Sequence, residues 1–186
     1  FTVSLIGADA ATIDELKTIN EALSGAVVLN TATNAVAYTD TAANLISAFD
    51  GITSHSGGLT VSDTGAVSAA DLNEINTFTA GNTFVTAASE FTGSAAELVA
   101  AVGAVTQGQN VALAITDTTP ATVAELMAIN AATNGNVVLN AETIAGAYAD
   151  TSTNLAAAFE GITTLTSTLN ITGTTSATVA ELITIN

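Results

Sequence analysis

A nine-residue motif that recurs four times constrains this chain more than any other feature. Each copy starts with Thr or Ser, carries an acidic residue followed by Leu at its centre, and ends in Ile-Asn. The copies occupy residues 12–20, 68–76, 122–130 and 178–186. Their closing asparagines lie 56, 54 and 56 residues apart, so the period is near 55. Because self-similarity at a fixed period is the sequence signature of repeat architectures, the chain is predicted to be an array.

Every copy of the motif predicts a helix with a defined start. A hydroxyl residue followed three positions later by an acidic residue forms a reciprocal capping box, in which each side chain accepts the other residue's amide hydrogen. The predicted pairs are Thr12 with Glu15, Thr122 with Glu125, Thr178 with Glu181, and Ser68 with Asp71 as a shorter variant. Apolar residues then recur at a spacing of three, as at Ile13, Leu16 and Ile19, which suits one face of a helix.

A second kind of helix is predicted between the first set. Residues 41–49 and 151–159 match each other, and residues 94–102 occupy the same place in the middle of the chain, with a capping box of their own. The predicted stops of these helices are Gly51, Gly103 and Gly161. Short alternating or β-branched runs predict strands, over residues 2–6, 26–30, 35–38, 59–62, 83–86, 111–115, 136–140, 144–148 and 169–172.

One leucine is common to both kinds of helix and sets the size of the unit. The shared positions are Leu16, Leu45, Leu72, Leu98, Leu126, Leu155 and Leu182. They are 26 to 29 residues apart, which divides the chain into seven strand-turn-helix units of about 28 residues, paired into the longer period. We therefore predict one repeat array over residues 1–186, with repeats at approximately 1–56, 57–109 and 110–166 and a partial repeat at 167–186.

The predicted fold class is α/β, in the form of a right-handed β/α solenoid, because such units bury their apolar faces only by stacking. Stacked strands lie about 4.8 Å apart, whereas packed helices need about 8–10 Å. Alternating the helices between both sides of the strand layers would reconcile the two spacings. We therefore predict helices on both faces and a nearly straight rod.

Composition and charge exclude several classes of function. The chain has 17 acidic residues against one basic residue, for a formal net charge of −16. A surface this acidic is unsuited to nucleic acid or to an anionic membrane, since both need cationic side chains. No cysteine is present, which removes disulfides and thiolate chemistry. No apolar run is long enough to span a membrane, so no direct membrane insertion is expected.

Four aspartates at repeat-equivalent positions are the candidate metal ligands. Asp63 and Asp117 follow equivalent strands, while Asp40 and Asp150 precede equivalent helices. Calcium binds carboxylate, amide and backbone carbonyl oxygens, so Ca²⁺ is the possible cofactor. The competing interpretation is that an aspartate near a helix start caps amides and complements the helix dipole. Neither an EF-hand loop nor the glycine-rich calcium nonapeptide occurs.

Catalytic residues are not predicted. The glutamates of the capping boxes are explained by capping, and most nucleophilic and metal-assisted mechanisms lack parts in a chain with one His, one Lys, and neither Arg nor Cys. The single histidine, His55, is predicted to be a solvated loop residue. The chain is therefore expected not to be an enzyme.

The repeat units resemble those of a known class of protein. Residues 121–130 and 150–158 are similar to the Ala/Thr-rich, cysteine-free repeats of very large secreted surface proteins of marine bacteria such as cyanobacteria. This resemblance implies an extracellular or cell-surface structural role, as an adhesin stalk, a surface layer or a filament, with copies of itself or adjacent repeats as partners. The chain begins and stops at the same phase of the repeat, which indicates either a longer array or end-to-end stacking. The alternative function is a calcium-dependent or carbohydrate-binding surface module.

Overall fold

The protein is an α/β structure in which strands and helices alternate along the chain. A computed structural model describes residues 2–23, 25–52, 54–107, 110–173 and 175–185. Seven longer helices follow one another in these ranges: α1 (Ile13–Ala22), α3 (Ala42–Phe49), α4 (Ala69–Phe78), α5 (Ala95–Ala104), α6 (Val123–Ala132), α8 (Ser152–Phe159) and α9 (Val179–Thr184). Two helices of five residues each are α2 (Thr31–Ala35) and α7 (Ala141–Ala145).

The strands are short, with two to four residues each. They are β1 (Val3–Ser4), β2 (Val27–Val28), β3 (Tyr38–Asp40), β4 (Leu59–Val61), β5 (Ala66–Ser68), β6 (Thr83–Val85), β7 (Glu90–Gly93), β8 (Val105–Gln107), β9 (Ala112–Ile115), β10 (Val137–Val138), β11 (Tyr148–Asp150) and β12 (Leu169–Ile171). All pairings among them are parallel. They form two four-stranded sheets, β3-β4-β6-β8 and β5-β7-β9-β10, and two pairs, β1-β2 and β11-β12.

Each pair of hydrogen-bonded strands is connected through one long helix. Thus β3 leads through α3 to β4, and β9 leads through α6 to β10. In the two larger sheets the strand order follows the order of the chain without reversal. The same crossover is therefore repeated at every step, as expected for parallel strands joined through a helix.

The seven longer helices form a single row. In chain order, each packs on the next: α1 on α3, α3 on α4, α4 on α5, α5 on α6, α6 on α8, and α8 on α9. The prediction that successive helices lie on opposite faces of the strand layers is therefore wrong. Its physical flaw is that a strand order without reversal, combined with crossovers of one hand, puts every connecting helix on the same face.

Several buried residues of the longer helices are alanines, which suits this single row. Ala42, Ala48 and Ala69 are buried, and so are Ala95 and Ala101 farther along the row. The distance between packed helices depends on the side chains at the contact, and small ones permit the closest approach. The low aromatic content of the chain is consistent with this packing, because bulky rings would separate the helices.

A continuous apolar core lies between the helix row and the sheets. Six of the seven shared leucines are at most 1% exposed: Leu16, Leu45, Leu72, Leu98, Leu126 and Leu155. The seventh, Leu182 in α9, is 44% exposed. The leucine position therefore marks the core, as its recurrence predicts, in every longer helix except α9.

Most predicted element positions are confirmed, with four kinds of difference. Gly51 and Gly161 follow helix ends with φ of 72° and 73°, but Gly103 lies inside α5. Much of the predicted strand segments 35–38 and 144–148 is occupied by the ends of α2 and α7 and the turns after them. The strands β5, β7 and β8 were not predicted. Ser68 caps α4, but the short side chain of Asp71 does not complete a capping box.

Candidate functional site

Asp40 and Asp150 bind to the start of the helix that follows each of them. Asp40 Oδ1 accepts hydrogen bonds from Thr41 N at 2.8 Å and from Asn44 Nδ2 at 2.7 Å. Asp150 Oδ1 accepts from the next residue's amide at 2.7 Å and from Asn154 Nδ2 at 2.8 Å. The two aspartates therefore perform the same local task in two copies of the repeat.

Asp63 and Asp117 also have protein partners, although these differ. Asp63 Oδ2 accepts from Ala42 N at 2.7 Å, which brings Asp63 and Asp40 to the same helix start, that of α3. Asp117 instead accepts from Thr119 Oγ1 at 2.8 Å and from Asn140 Nδ2 at 2.9 Å. The four candidates thus do not converge on one place.

No metal centre emerges from these positions. Among the described residues, no group of three or more His, Cys, Asp or Glu side chains could hold a metal ion. At least one oxygen of each candidate aspartate already accepts a hydrogen bond, which is the arrangement that helix capping and turn stabilisation require. The prediction of calcium at Asp40, Asp63, Asp117 and Asp150 stays a prediction.

Carboxylates cap the long helices in two different ways. In α1, α5, α6 and α9, the glutamate at the third helical position accepts the amide of the capping Thr or Ser, which completes a capping box. In α3 and α8 the third position is an asparagine, and the preceding aspartate accepts the capping residue's amide instead. Both arrangements place a negative charge at the positive end of the helix dipole.

Hydrogen bonds stabilise the charged form of Glu15, Glu97 and Glu181. The amide of Thr12 lowers the pKa of the Glu15 carboxyl, and the amide of Ser94 does the same for Glu97. Glu181 is affected most, because it also accepts from Thr153 Oγ1, at 2.6 Å, on the neighbouring helix α8; this contact is the largest contribution to a pKa of about 2.

A polar clamp joins neighbouring helices at two equivalent places, and we call it the asparagine clamp. Asn20 Nδ2, at the end of the motif in α1, donates to Ser47 O at 3.1 Å and Asp50 O at 2.8 Å. Asn130 Nδ2, in α6, donates to Ala157 O at 3.0 Å and Glu160 O at 3.1 Å. In both cases the acceptors are backbone carbonyls at the end of the next helix, which is where a helix leaves carbonyls unsatisfied.

The asparagine clamp depends on how the accepting helix ends. After α3 and after α8, the chain makes a turn in which Ile52 N donates to Phe49 O and Ile162 N to Phe159 O, with a glycine of positive φ before each isoleucine. Glycine suits that position because it adopts the left-handed region without strain. In contrast, α5 continues directly into β8 without such a turn. The equivalent asparagine in the preceding helix α4, Asn76, accepts a hydrogen bond from Thr83 Oγ1.

The short helices α2 and α7 join neighbouring units by contacts to the turns that precede α1 and α6. Thr33 Oγ1 in α2 accepts from Ala11 N, and Thr143 Oγ1 in α7 accepts from Ala121 N, both at 2.9 Å. Both threonines are completely buried. Their capping asparagines also donate from Nδ2 to carbonyls of the same preceding turn, for example Asn140 to Thr119 O at 3.0 Å.

His55 is a core residue, which corrects the prediction of a solvated loop histidine. It is completely buried, and its ring lies 4.9 Å from the Phe49 ring and 5.6 Å from the Tyr38 ring, measured between centroids. Among the residues that the structure describes, neither ring nitrogen has a hydrogen-bond partner. Burial lowers the pKa of the imidazole, because a charged ring would lack solvation there.

The last described helix presents an exposed apolar surface, which we call the α9 face. It is made by Val179, Leu182 and Ile183 of α9 together with Ile171 of β12, all of them large apolar side chains that are exposed. These residues line an open groove with Leu169 and Ile185. The α9 face is therefore the clearest candidate for an interaction surface.

Comparison with known proteins identifies no relative, so the functional conclusion rests on the contacts described above. No protein-family model, curated protein or solved structure matches the chain. None of the helices in the part of the chain that the structure describes combines the length and apolarity needed to cross a membrane.

Most of the contacts between units were not predicted from the sequence. Asn20 and Asn130 end their copies of the motif, and a polar residue that recurs at the end of a helix motif is a signal for a capping contact. Thr33 and Thr143 gave no signal of their own, because they lie in segments without a helical pattern of useful length. His55 occupies the place of Leu165 in the matching repeat, and that correspondence is the signal that could have identified it as buried.

Proposed function

We propose that this chain is a non-enzymatic structural protein of the cell surface, whose repeats build the scaffold of a filament, surface layer or adhesin stalk. The observation that carries the proposal is the use of the repeated polar residues. The asparagine clamps, Thr33, Thr143 and the capping carboxylates all bind backbone groups of the same or a neighbouring unit. These recurring residues thus stabilise the array, some within a unit and others between units.

The architecture that we propose is a right-handed β/α solenoid with its helices along one side. Neighbouring strands lie about 4.8 Å apart and helices pack at about 8–10 Å, so a single row of helices needs more length than the strands beneath it. The proposed solenoid therefore curves, with the helices on the longer, convex side. The breaks between the four sets of paired strands would relieve part of the same mismatch.

An extracellular location fits the chemistry of the surface. The strongly acidic composition is compatible with salty surroundings, where ions screen the repulsion between carboxylates. The resemblance to the repeats of secreted bacterial surface proteins supports the same location. A calcium-dependent or carbohydrate-binding module is the weaker proposal, since the four candidate aspartates already accept hydrogen bonds from the protein.

Two measurements test the proposed function. Brief protease treatment of intact source cells should release peptides of this chain, whereas release only after lysis would contradict a surface location. Negative-stain electron microscopy of the native assembly, with calcium and with a chelator, should show elongated curved particles in both conditions. Particles that come apart only in chelator would favour the calcium-dependent alternative, and compact particles would contradict the scaffold.

A further inference from the structure

The longer helices fall into two classes that alternate along the row. First-class helices carry the nine-residue motif and are α1, α4, α6 and α9; second-class helices are α3, α5 and α8. At each of the six contacts between neighbours in the row, a helix of one class packs on a helix of the other. The α9 face belongs to a first-class helix whose one described neighbour in the row, α8, is of the second class.

The contact between α6 and α8 shows what covers such a face. Residues 178–186 repeat residues 122–130 with two substitutions, Met127 by Ile183 and Ala128 by Thr184. Leu126 is completely buried in the row between α5 and α8, whereas its counterpart Leu182 is 44% exposed. The same apolar residues are therefore covered in one copy of the motif and uncovered in the other.

From this we infer that the α9 face binds a further second-class unit of the same array, with a helix that ends in an acidic residue and glycine as α3 and α8 do. The established interface between α6 and α8 continues at this face, because the motif that forms it is repeated there. The inference rests on the proposed function and specifies which partner the scaffold adds next.

The other end of the row, the helix α1, belongs to the wrong class to cover the α9 face. A second copy of the chain stacked end to end would bring α1 against α9, and both are first-class helices. The residue after α1 is Leu23, in an extended conformation, with its amide bonded to Asn20 O. In the sequence, the residues that directly follow α1 contain no acidic-glycine pair like the ones that follow α3 and α8. The helices α3 and α8, which are followed by that pair, are already packed between neighbours.

The test extends the full chain by a duplicate of residues 131–166, placed directly after Asn186. In this extended chain the duplicated α8 follows α9 as α8 follows α6. Amide hydrogen exchange, read by mass spectrometry on peptides from α9, should slow by about tenfold or more, since the covered helix then opens only with its neighbours. The matched control carries Leu155→Asp in the duplicate alone, which should leave α9 exchange as fast as in the chain of 186 residues.

Two results would overturn the inference. The first is α9 exchange that is equally fast in the extended chain and in its control. The second is α9 exchange in the chain of 186 residues that slows with increasing protein concentration, because a second copy would then cover the α9 face. The second result would still be compatible with the proposed scaffold, which would then assemble by end-to-end stacking of copies. Failure of the proposed function would appear separately, as release of the protein only after cell lysis or as compact particles in electron microscopy.

Discussion

The helices α6 and α9 have nearly the same sequence and the same capping box, yet they differ in burial. In α6 the motif leucine is completely buried, and in α9 its counterpart is 44% exposed. Thr122 and Thr178 accept the amide of Glu125 and Glu181, respectively, at 3.2 Å. The comparison separates two contributions: the motif determines where each helix starts, and the neighbouring units determine how much that helix adds to stability.

The largest expected difference between the two helices comes from their leucines. Leu126→Ala should lower the free energy of unfolding by about 2–5 kcal/mol, because it removes buried methyl groups and leaves a cavity. Leu182→Ala should cost less than about 1 kcal/mol, since much of that side chain already contacts water. Urea unfolding followed by circular dichroism measures both values. Equal losses would contradict the difference in packing.

A buried hydroxyl between units should have the next largest effect. Thr143→Val keeps the shape of the side chain but leaves the buried amide of Ala121 without its acceptor, which should cost about 1–3 kcal/mol. The control is Thr164→Val, at an exposed position, where little change is expected. A Thr143→Val protein as stable as the control would show that the contact between α7 and the preceding turn contributes nothing.

His55 should make the stability of its repeat depend on pH, in contrast to the matching repeat, where Leu165 occupies that position. Burial lowers the pKa of the folded state below the unfolded value, so the unfolded state binds the proton more readily. The stability contributed by neutral His55 is complete above the unfolded pKa of about 6.5 and falls as the pH decreases towards the folded pKa, by at most about 1.4 kcal/mol per pH unit.

The substitution His55→Leu reproduces the matching repeat and should remove that dependence. Urea midpoints at pH 7.5 and pH 5 should therefore differ less for His55→Leu than for the unsubstituted chain. The rings of Tyr38 and Phe49 pack against His55, and neither side chain carries a charge in this range. An unchanged pH dependence would place the titration elsewhere in the molecule.

The smallest expected effect concerns the caps. Thr122→Ala should cost about 1 kcal/mol of global stability, because the Glu125 amide loses its acceptor in a helix that unfolds with the core. Thr178→Ala removes the same contact from α9 but should barely change the urea midpoint. Instead, it should reduce the helical signal of the folded protein slightly. A full loss at Thr178 would indicate that α9 is as firmly integrated as α6.

Much of this fold could be predicted from the sequence, because several copies of the repeat predict the same local structure independently. Four copies of the motif agreed on the helix starts, and the shared leucines identified the core. The faces on which the helices lie could not be predicted from spacing alone, since the distances are compatible with two arrangements and the strand order decides between them. The contacts of Thr33 and Thr143 were also out of reach, because they join segments that only the tertiary fold brings together.

The central claim is that neighbouring units, and not the motif itself, stabilise each helix. Hydrogen exchange of the dilute chain tests it most directly, by comparing peptides from α6 and α9 in one sample. We expect α6 amides to exchange only through global unfolding and α9 amides to exchange faster by about tenfold or more. Equal protection of the two helices would contradict the account, since the motif alone would then be sufficient for stability.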